Sequence, residues 1–540
     1  MKNLSFSLFI FVFLILAFSS PLFAYSSVNI PIESPVNRKV DKLIAVGIIP
    51  ENFIYSQRPW SRKEVARILA VALQKQEKMQ CPSYIISILN EMKQEFRDEL
   101  QNSESGFYVK PLESAKLEYT FLDSPLRIVP VSNGLGNIDA IVQPLRSDVG
   151  GRHFVEGHTF AMETIHYGQW TPLFSIYGSP RLELLVNDSK ATTAKPILQQ
   201  GYGKFAYKNF EMEVGRDSLI WGQGETGGLL LSNNARPLDM VKLTTSAPFY
   251  HPGFLKHLGP SKYTFFVANL GPEQNFPYPF LYGLRASIHP FSLFELGLSQ
   301  TLILGGEGSP SLVWYDPVSE LVLIRRGGLQ GQGSNVSDHR MGVDWRLRIP
   351  PLHNAEWYFE SVWDDLGRHT LHANFTEQMG FMSGFYFPLL TSDEKIDLRI
   401  EYIHLPPILY HHGTWLSGYA LNRRLIGSEV SPDGDRISVV VKRALDKKKQ
   451  VGITTVYENR DSDLYRQTIS PEGGPDRVVK TANNPTEHRY RMVFDFSYRL
   501  RKEWSVELQG GYERVQNFNF TMGDDLNNFL SGISIVYLPQ

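Results

Sequence analysis

The segment from Trp221 to Pro237 concentrates groups that can do chemistry: Gln223, Asn233, Asn234 and Arg236 stand among four glycines and a tryptophan. Gly222, Gly224, Gly227 and Gly228 permit positive φ and close backbone approach. The amides and the guanidinium supply donors and acceptors in quantity, which suits sugar hydroxyls and carboxylates. The same inventory suits a segment that satisfies itself, because a buried polar run must find partners. The residues favour this second use, a loop folded into the interior of a larger shell as its stopper. Direct sugar contact is the alternative, and both hold if the stopper also touches ligand.

Other candidates are weaker. His404, His411 and His412 lie close together, but Pro406 and Pro407 interrupt any regular element between them. Metal ligation needs a geometry that this spacing does not supply, so they read as loop histidines facing water, and no metal is expected. Asp364–Asp365 and Asp524–Asp525 read as solvent-facing pairs. Trp314, Tyr315, Tyr410, Trp415 and Tyr419 fall outside clean strand patterns. Such rings either stack on sugar faces or belong to an interfacial girdle. There is no serine nucleophile elbow and no phosphate-binding Gly-Lys motif, so neither an enzyme nor a cofactor is expected.

The elements that must hold these groups show a period of two. Tyr490, Met492, Phe494, Phe496, Tyr498 and Leu500 alternate with Arg489, Arg491, Asp495, Ser497 and Arg499. After a turn at Arg501–Lys502, Trp504, Val506, Leu508 and Tyr512 alternate with Glu503, Ser505, Glu507, Gln509 and Glu513. One face is apolar with aromatic ends and the other is charged, as a membrane-spanning β-hairpin requires. The same pattern begins near Leu112, where Leu117, Tyr119 and Phe121 oppose Lys116, Glu118 and Thr120, and it recurs around residues 182, 212, 398 and 533. The polar faces repeatedly carry Glu, Asp and Arg, which a wide barrel tolerates and a small soluble one does not. Residues 111–540 thus predict a transmembrane antiparallel β-barrel of about 18 strands. The chain ends Tyr537-Leu-Pro-Gln540, an imperfect form of the terminal aromatic that the barrel assembly machinery reads.

The first part of the chain differs. Lys2, the apolar run Leu8–Phe18 and the small residue Ala24 predict a signal peptide over 1–24. Residues 25–110 predict a small α-helical periplasmic domain that leaves the barrel unplugged. Ser34–Pro35 starts one helix, Ser61 and Glu64 make a capping box for a second, and a third follows Pro82. Cys81 is the single cysteine among 540 residues, so no internal disulfide can form. The net charge of −2 lacks the basic footprint of a nucleic-acid binder. The one basic cluster, Lys442–Arg443 with Lys447–Lys449, falls between two strand patterns and reads as a solvated turn.

The run from Gly215 through Trp221-Gly-Gln to Leu231-Ser-Asn-Asn-Ala-Arg-Pro237 resembles the Wzi-type capsule-assembly family of outer-membrane proteins. A second, looser match is Glu401–His404, Tyr410–His412 and Ser431-Pro-Asp433-Gly-Asp435, with Ser431 where the family has glycine. The resemblance spans nearly the whole mature chain. It implies an ~18-stranded barrel with periplasmic helices, a non-enzymatic, lectin-like anchor for capsular or other surface polysaccharide. The implied partners are that polysaccharide, outer-membrane lipids and the assembly machinery. A porin or sugar diffusion channel is the alternative. The polysaccharide-binding or lumen-plug candidates are Trp221, Gln223, Asn233, Asn234, Arg236, Tyr410, His411, Trp415, Asp433 and Asp435.

Overall fold

Tyr119 and Ile533 face each other across an antiparallel seam that joins the first long strand to the last and closes a barrel. The structure is a computed structural model. It describes residues 26–539 apart from 50–52, 79–80, 102–106, 147–148, 189–190, 226, 313–315, 322–336, 365–378, 392, 394, 431 and 469–476. The expected signal peptide, Trp314, Tyr315, Asp365 and Ser431 lie outside the described residues.

The barrel strands, in chain order, begin with β1 Tyr108–Asp123, β2 Gly157–Thr171, β3 Phe174–Asn187, β4 Thr192–Tyr207, β5 Phe210–Asp217 and β6 Leu238–Thr245. Next come β7 Ser261–Asn269, β8 Phe280–Phe291, β9 Phe294–Leu304, β10 Ser337–Ile349, β11 Ala355–Asp364 and β12 Met379–Phe387. The circuit finishes with β13 Ile396–Leu405, β14 Gly434–Ala444, β15 Lys449–Arg460, β16 Glu487–Arg499, β17 Trp504–Gln516 and β18 Leu526–Tyr537. Each strand pairs antiparallel with its neighbours in sequence, and β1 closes on β18. Connections are short at one end, such as 172–173, 208–209 and 292–293, and long at the other, such as 406–433. Short periplasmic turns and long surface loops are the habit of outer-membrane barrels. No described helix is long and apolar enough to cross a membrane.

The alternation read from the sequence sorts the side chains. Leu117, Leu182, Met492 and Phe494 are exposed on the outer wall, whereas Glu118, Arg181, Glu183 and Arg489 are buried within. Charge in the interior is matched locally. Arg181 donates to Glu118 at 3.2 Å, to Glu163 at 3.1 Å and to Glu183 at 2.7 Å. Arg489 reaches Glu513 at 2.6 Å and Glu458 at 3.5 Å. Buried ions persist only when paired in this way, and removal of one partner strands the other.

The helices are α1 Pro35–Ala45, α2 Arg62–Gln76, α3 Ser83–Glu95 and the short α4 Arg97–Gln101, with α5 Asp316–Leu321 in a long loop. Ser34 Oγ accepts from Val36 N at 3.3 Å, and Ser61 Oγ accepts from Glu64 N at 3.1 Å, so both expected caps form. The capping box is only half made. Glu64 does not return to Ser61; it meets Lys262 on β7 at 3.0 Å. Val40, Leu43, Trp60, Val65, Ile68, Leu89 and Met92 fill a common core between the helices.

The expectation that this part leaves the barrel unplugged is corrected. Asn29 Nδ2 donates to Glu213 at 2.8 Å and to Asp217 at 2.7 Å, on the inner face of β5. The amides of Tyr55 and Ser56 donate to Glu295 of β9 at 2.8 and 2.9 Å. The segment around Ser56 therefore enters the lumen from the short-turn end. Its backbone groups needed acceptors, and inward carboxylates of the wall supply them.

Candidate functional site

The loop between β5 and β6, residues 218–237, folds inward rather than outward. Ile220–Trp221 pairs antiparallel with Gln57–Arg58. Trp221 is buried, edge-on to Phe266 of β7 with ring centroids 5.3 Å apart, and its amide donates to Leu231 O at 3.3 Å. Gln223 Nε2 donates to Asp344 Oδ1 on β10 at 2.8 Å, and Arg346 returns a bond to Gln223 O at 3.2 Å. Leu229 N donates to Glu360 of β11 at 2.6 Å. Gly228 explains the tightness of the turn. A Cβ there would stand 1.7 Å from Trp221 O, so only hydrogen fits.

A second loop, 406–433 between β13 and β14, descends onto the first. Tyr410 Oη donates to Leu229 O at 2.5 Å and accepts from Ser428 N at 3.0 Å. Its ring stacks on Tyr419 at 5.6 Å, and the Arg340 guanidinium lies 4.3 Å from the Tyr419 ring centre. Asn234 Nδ2 donates to Leu425 O at 2.9 Å, while Ser232 N donates to Ile426 O at 3.0 Å. A third segment, 125–150, joins them: Gly150 N donates to Asn233 O at 2.6 Å, and Asn137 exchanges backbone bonds with His412, each at 3.1 Å. Leu229, Leu230, Leu231, Leu409, Trp415 and Leu425 supply the apolar part of this stopper.

The structure thus brings Trp221, Gln223, Asn233, Asn234, Tyr410, His411 and Trp415 into one buried cluster between loops and wall. Arg236 sits at its outer edge, bonded to Asp239 at 2.9 Å and to Asn422 Oδ1 at 3.2 Å. Asp433 and Asp435 lie elsewhere. Asp433 is at the rim, accepting from Tyr465 Oη at 2.7 Å. Asp435 faces out of the barrel, where Tyr402 Oη donates at 2.6 Å and His404 Nδ1 lies at 2.9 Å. Strand alternation decides this, because Asp435 is directly opposite His404 in the β13–β14 ladder.

Several loop expectations are corrected by burial. Tyr410, Trp415 and Tyr419 neither project to stack on a sugar nor form a girdle; all three are packed inside the mouth. His411 and His412 are buried rather than water-facing. His412 Nδ1 accepts from Thr414 N and Trp415 N, both at 3.0 Å, which turns the chain. Burial holds the His411 imidazole down at about 4, so it is neutral when the loop is closed. Asp364 is buried on β11 and pairs with Arg340 at 3.2 Å. In each case a loop that reads as external returns to the interior, which spacing alone does not reveal.

Among the described residues, one carboxylate group has metal-like spacing: Asp433, Asp461 and Asp463, with oxygens within 4.8 Å of one another. Lys480 already binds Asp463 and Tyr465 binds Asp433, so local donors meet part of this demand. Burial pushes the Asp433 carboxyl up to about 6, with Asp461 and Asp463 adding to the shift and the Tyr465 bond opposing it.

The outward surface of the stopper carries groups missed in the sequence. Arg423 Nε donates to Asp139 at 2.9 Å, and Asn275 Nδ2 donates to Thr414 O at 3.2 Å. Val131, Tyr278 and Leu416 are exposed beside them. Asn422 and Arg423 both have positive φ, at the tip of a hairpin pairing Ala420–Leu421 with Arg424–Leu425. A two-residue hairpin of this kind is signalled by Asn-Gly. Here Arg423 replaces the glycine, which hides the turn.

The barrel has counterparts among known proteins. A solved structure described as Wzi, an outer-membrane carbohydrate-binding β-barrel involved in group 1 capsule assembly in Escherichia coli, shares the fold. It matches with a TM-score of 0.62 and 14% identity, over 95% of this chain and 98% of that one. An uncharacterized 55.8 kDa protein in the cps region of Klebsiella pneumoniae is 29% identical over 186 residues, 32% of this chain. That alignment spans 34% of the relative's own length. The family described as capsule assembly protein Wzi matches residues 143–530, and this outer-membrane barrel belongs to it.

Proposed function

We propose that this barrel retains capsular or other surface polysaccharide at the outer leaflet and does so without catalysis. The observation that carries the reading is a barrel of this family whose mouth is filled by its own loops and presents a polar, partly aromatic outer face. Asp139, Arg236, Asn275, Tyr278, Asn422 and Arg423 are the contact residues on that face. Guanidinium and amide groups match sugar carboxylates and hydroxyls, and an exposed ring offers a stacking platform. Each contact is weak. A repeating polymer meets many copies at once, and effective concentration converts weak sites into retention.

The buried candidates Trp221, Gln223, Asn233, Asn234, Tyr410, His411 and Trp415 then act through position, holding the loops that display this face. The decisive experiment deletes the gene in a capsule-producing host and compares cell-bound with released polysaccharide. Release into the medium is expected, with restoration by the wild-type gene and not by an N422A/R423A double variant. Unchanged retention on deletion overturns the reading. Planar-bilayer recording separates it from a diffusion channel, because a loop-filled mouth gives little conductance and a porin gives large steady openings.

A further inference from the structure

The connection 246–260 is the longest at the short-turn end of the barrel. Phe249 pairs by a backbone bridge with Ser261, and its ring is 6.0 Å from that of Tyr263. His251 Nε2 lies 2.8 Å from Tyr263 Oη. Tyr263 belongs to the outer wall, since its β7 neighbours Lys262 and Thr264 face the lumen and bond Glu64 and Gln57 there. The segment is thus clamped against the lipid-facing side of the barrel. Its remaining large side chains have no cover: Phe254 is 81% exposed, Tyr250 63% and Leu255 40%.

The patch continues an apolar surface. Phe291, at the foot of β8, is exposed and begins a run of ring contacts through Phe294, Trp345 and Trp357 across β9 to β11. Aromatic side chains in a continuous belt at a barrel end mark the level of the lipid headgroups. Lys256 and His257 are exposed in the same turn, and residues 246–260 contain no Asp or Glu. Adjacent apolar and basic groups are what a phospholipid interface selects.

We propose that 246–260 is a lipid-interface foot: Tyr250, Phe254 and Leu255 enter the periplasmic leaflet beside the barrel, and Lys256 and His257 bind phospholipid phosphates. The segment would fix the depth and tilt of the barrel on one side. This is independent of polysaccharide retention, and failure of either leaves the other standing.

The test places a nitroxide at Phe254→Cys in a Cys81→Ser background, which removes the single native thiol. The protein is folded into vesicles of phosphatidylethanolamine with phosphatidylglycerol. A label at Asp446→Cys, in an exposed short turn, is the water reference. Collisions with a water-soluble nickel chelate should fall about tenfold relative to that reference, while oxygen collisions rise, as for a side chain at the headgroup–acyl boundary. Adding Lys256→Glu and His257→Glu should move the label towards water in these vesicles and not in pure phosphatidylcholine. A label as accessible as the reference overturns the foot, including when it becomes protected only in whole envelopes, which would indicate a protein partner. No response to the charge reversals overturns phosphate binding. Heat-modifiable gel migration confirms that each variant is folded.

Discussion

Gln57, from the helical part, and Trp221, from the loop between β5 and β6, are direct partners in an antiparallel pair inside the barrel. The short-turn end of the molecule is thereby tied to the stopper. The stopper in turn holds the loop 406–433 through Tyr410 and Leu229. Chain segments from both ends of the lumen share one hydrogen-bonded core.

Trp221 fills the centre of that core, so Trp221→Ala should leave a cavity that its neighbours cannot close. Large-to-small changes of this kind cost about 3–5 kcal/mol. Urea unfolding from vesicles, followed by heat-modifiable migration, should show a correspondingly lower midpoint. A midpoint within error of wild type would mean that the stopper contributes little to the folded state.

Gly228→Val tests the stopper without removing any contact. The new Cβ would meet the Trp221 carbonyl at 1.7 Å and Glu360 at 2.9 Å, so the turn must move. Overpacking costs about 1–3 kcal/mol where the chain can yield, and here the loop can yield only by leaving the wall. Conductance in planar bilayers and tryptic cleavage after Arg424, buried in the loop packed on this turn, should both rise. Silence in both measurements would contradict the packing described.

Arg489→Met should cost about 3–5 kcal/mol, because Glu513 is left buried without its nearest cation. Combining it with Glu513→Gln should recover part of that loss, since Glu458 keeps Arg436 at 2.8 Å. A double variant no better than the single one would show that the pair acts through packing and not through charge.

His411 makes the mouth sensitive to acid. Its imidazole titrates near 6.5 when the loop is open and at about 4 when closed, so the folded value is the depressed one. The closed loop is therefore fully favoured above pH 6.5 and loses stability as pH falls from there towards 4. Between pH 7 and 5 the loss is about 2 kcal/mol. Hydrogen exchange of amides 408–420, corrected for intrinsic rates, should accelerate accordingly, and His411→Leu should abolish the dependence. Equal acceleration in the variant would assign the effect to other groups.

Alternation of grease and charge was enough to read the barrel from residues such as Met492 and Arg491, because a strand has only two faces and lipid selects one of them. The strand number followed from the length of the alternating region, and the helices from Ser34 and Ser61 at their caps. The glycines of 222–228 marked a segment that must approach other backbone closely. What no local pattern contains is the direction in which a loop folds. Tyr410, His411 and Trp415 carry the composition of exposed loop residues, yet they are buried by partners from distant strands. Asp433 and Asp435 are two residues apart in sequence and serve different surfaces. Whether Asn29 and Ser56 enter the lumen depends on carboxylates at Glu213 and Glu295 that only barrel closure brings within reach. Periodicity is a property of neighbours along the chain, whereas the stopper is built from groups that meet only after the strands have closed.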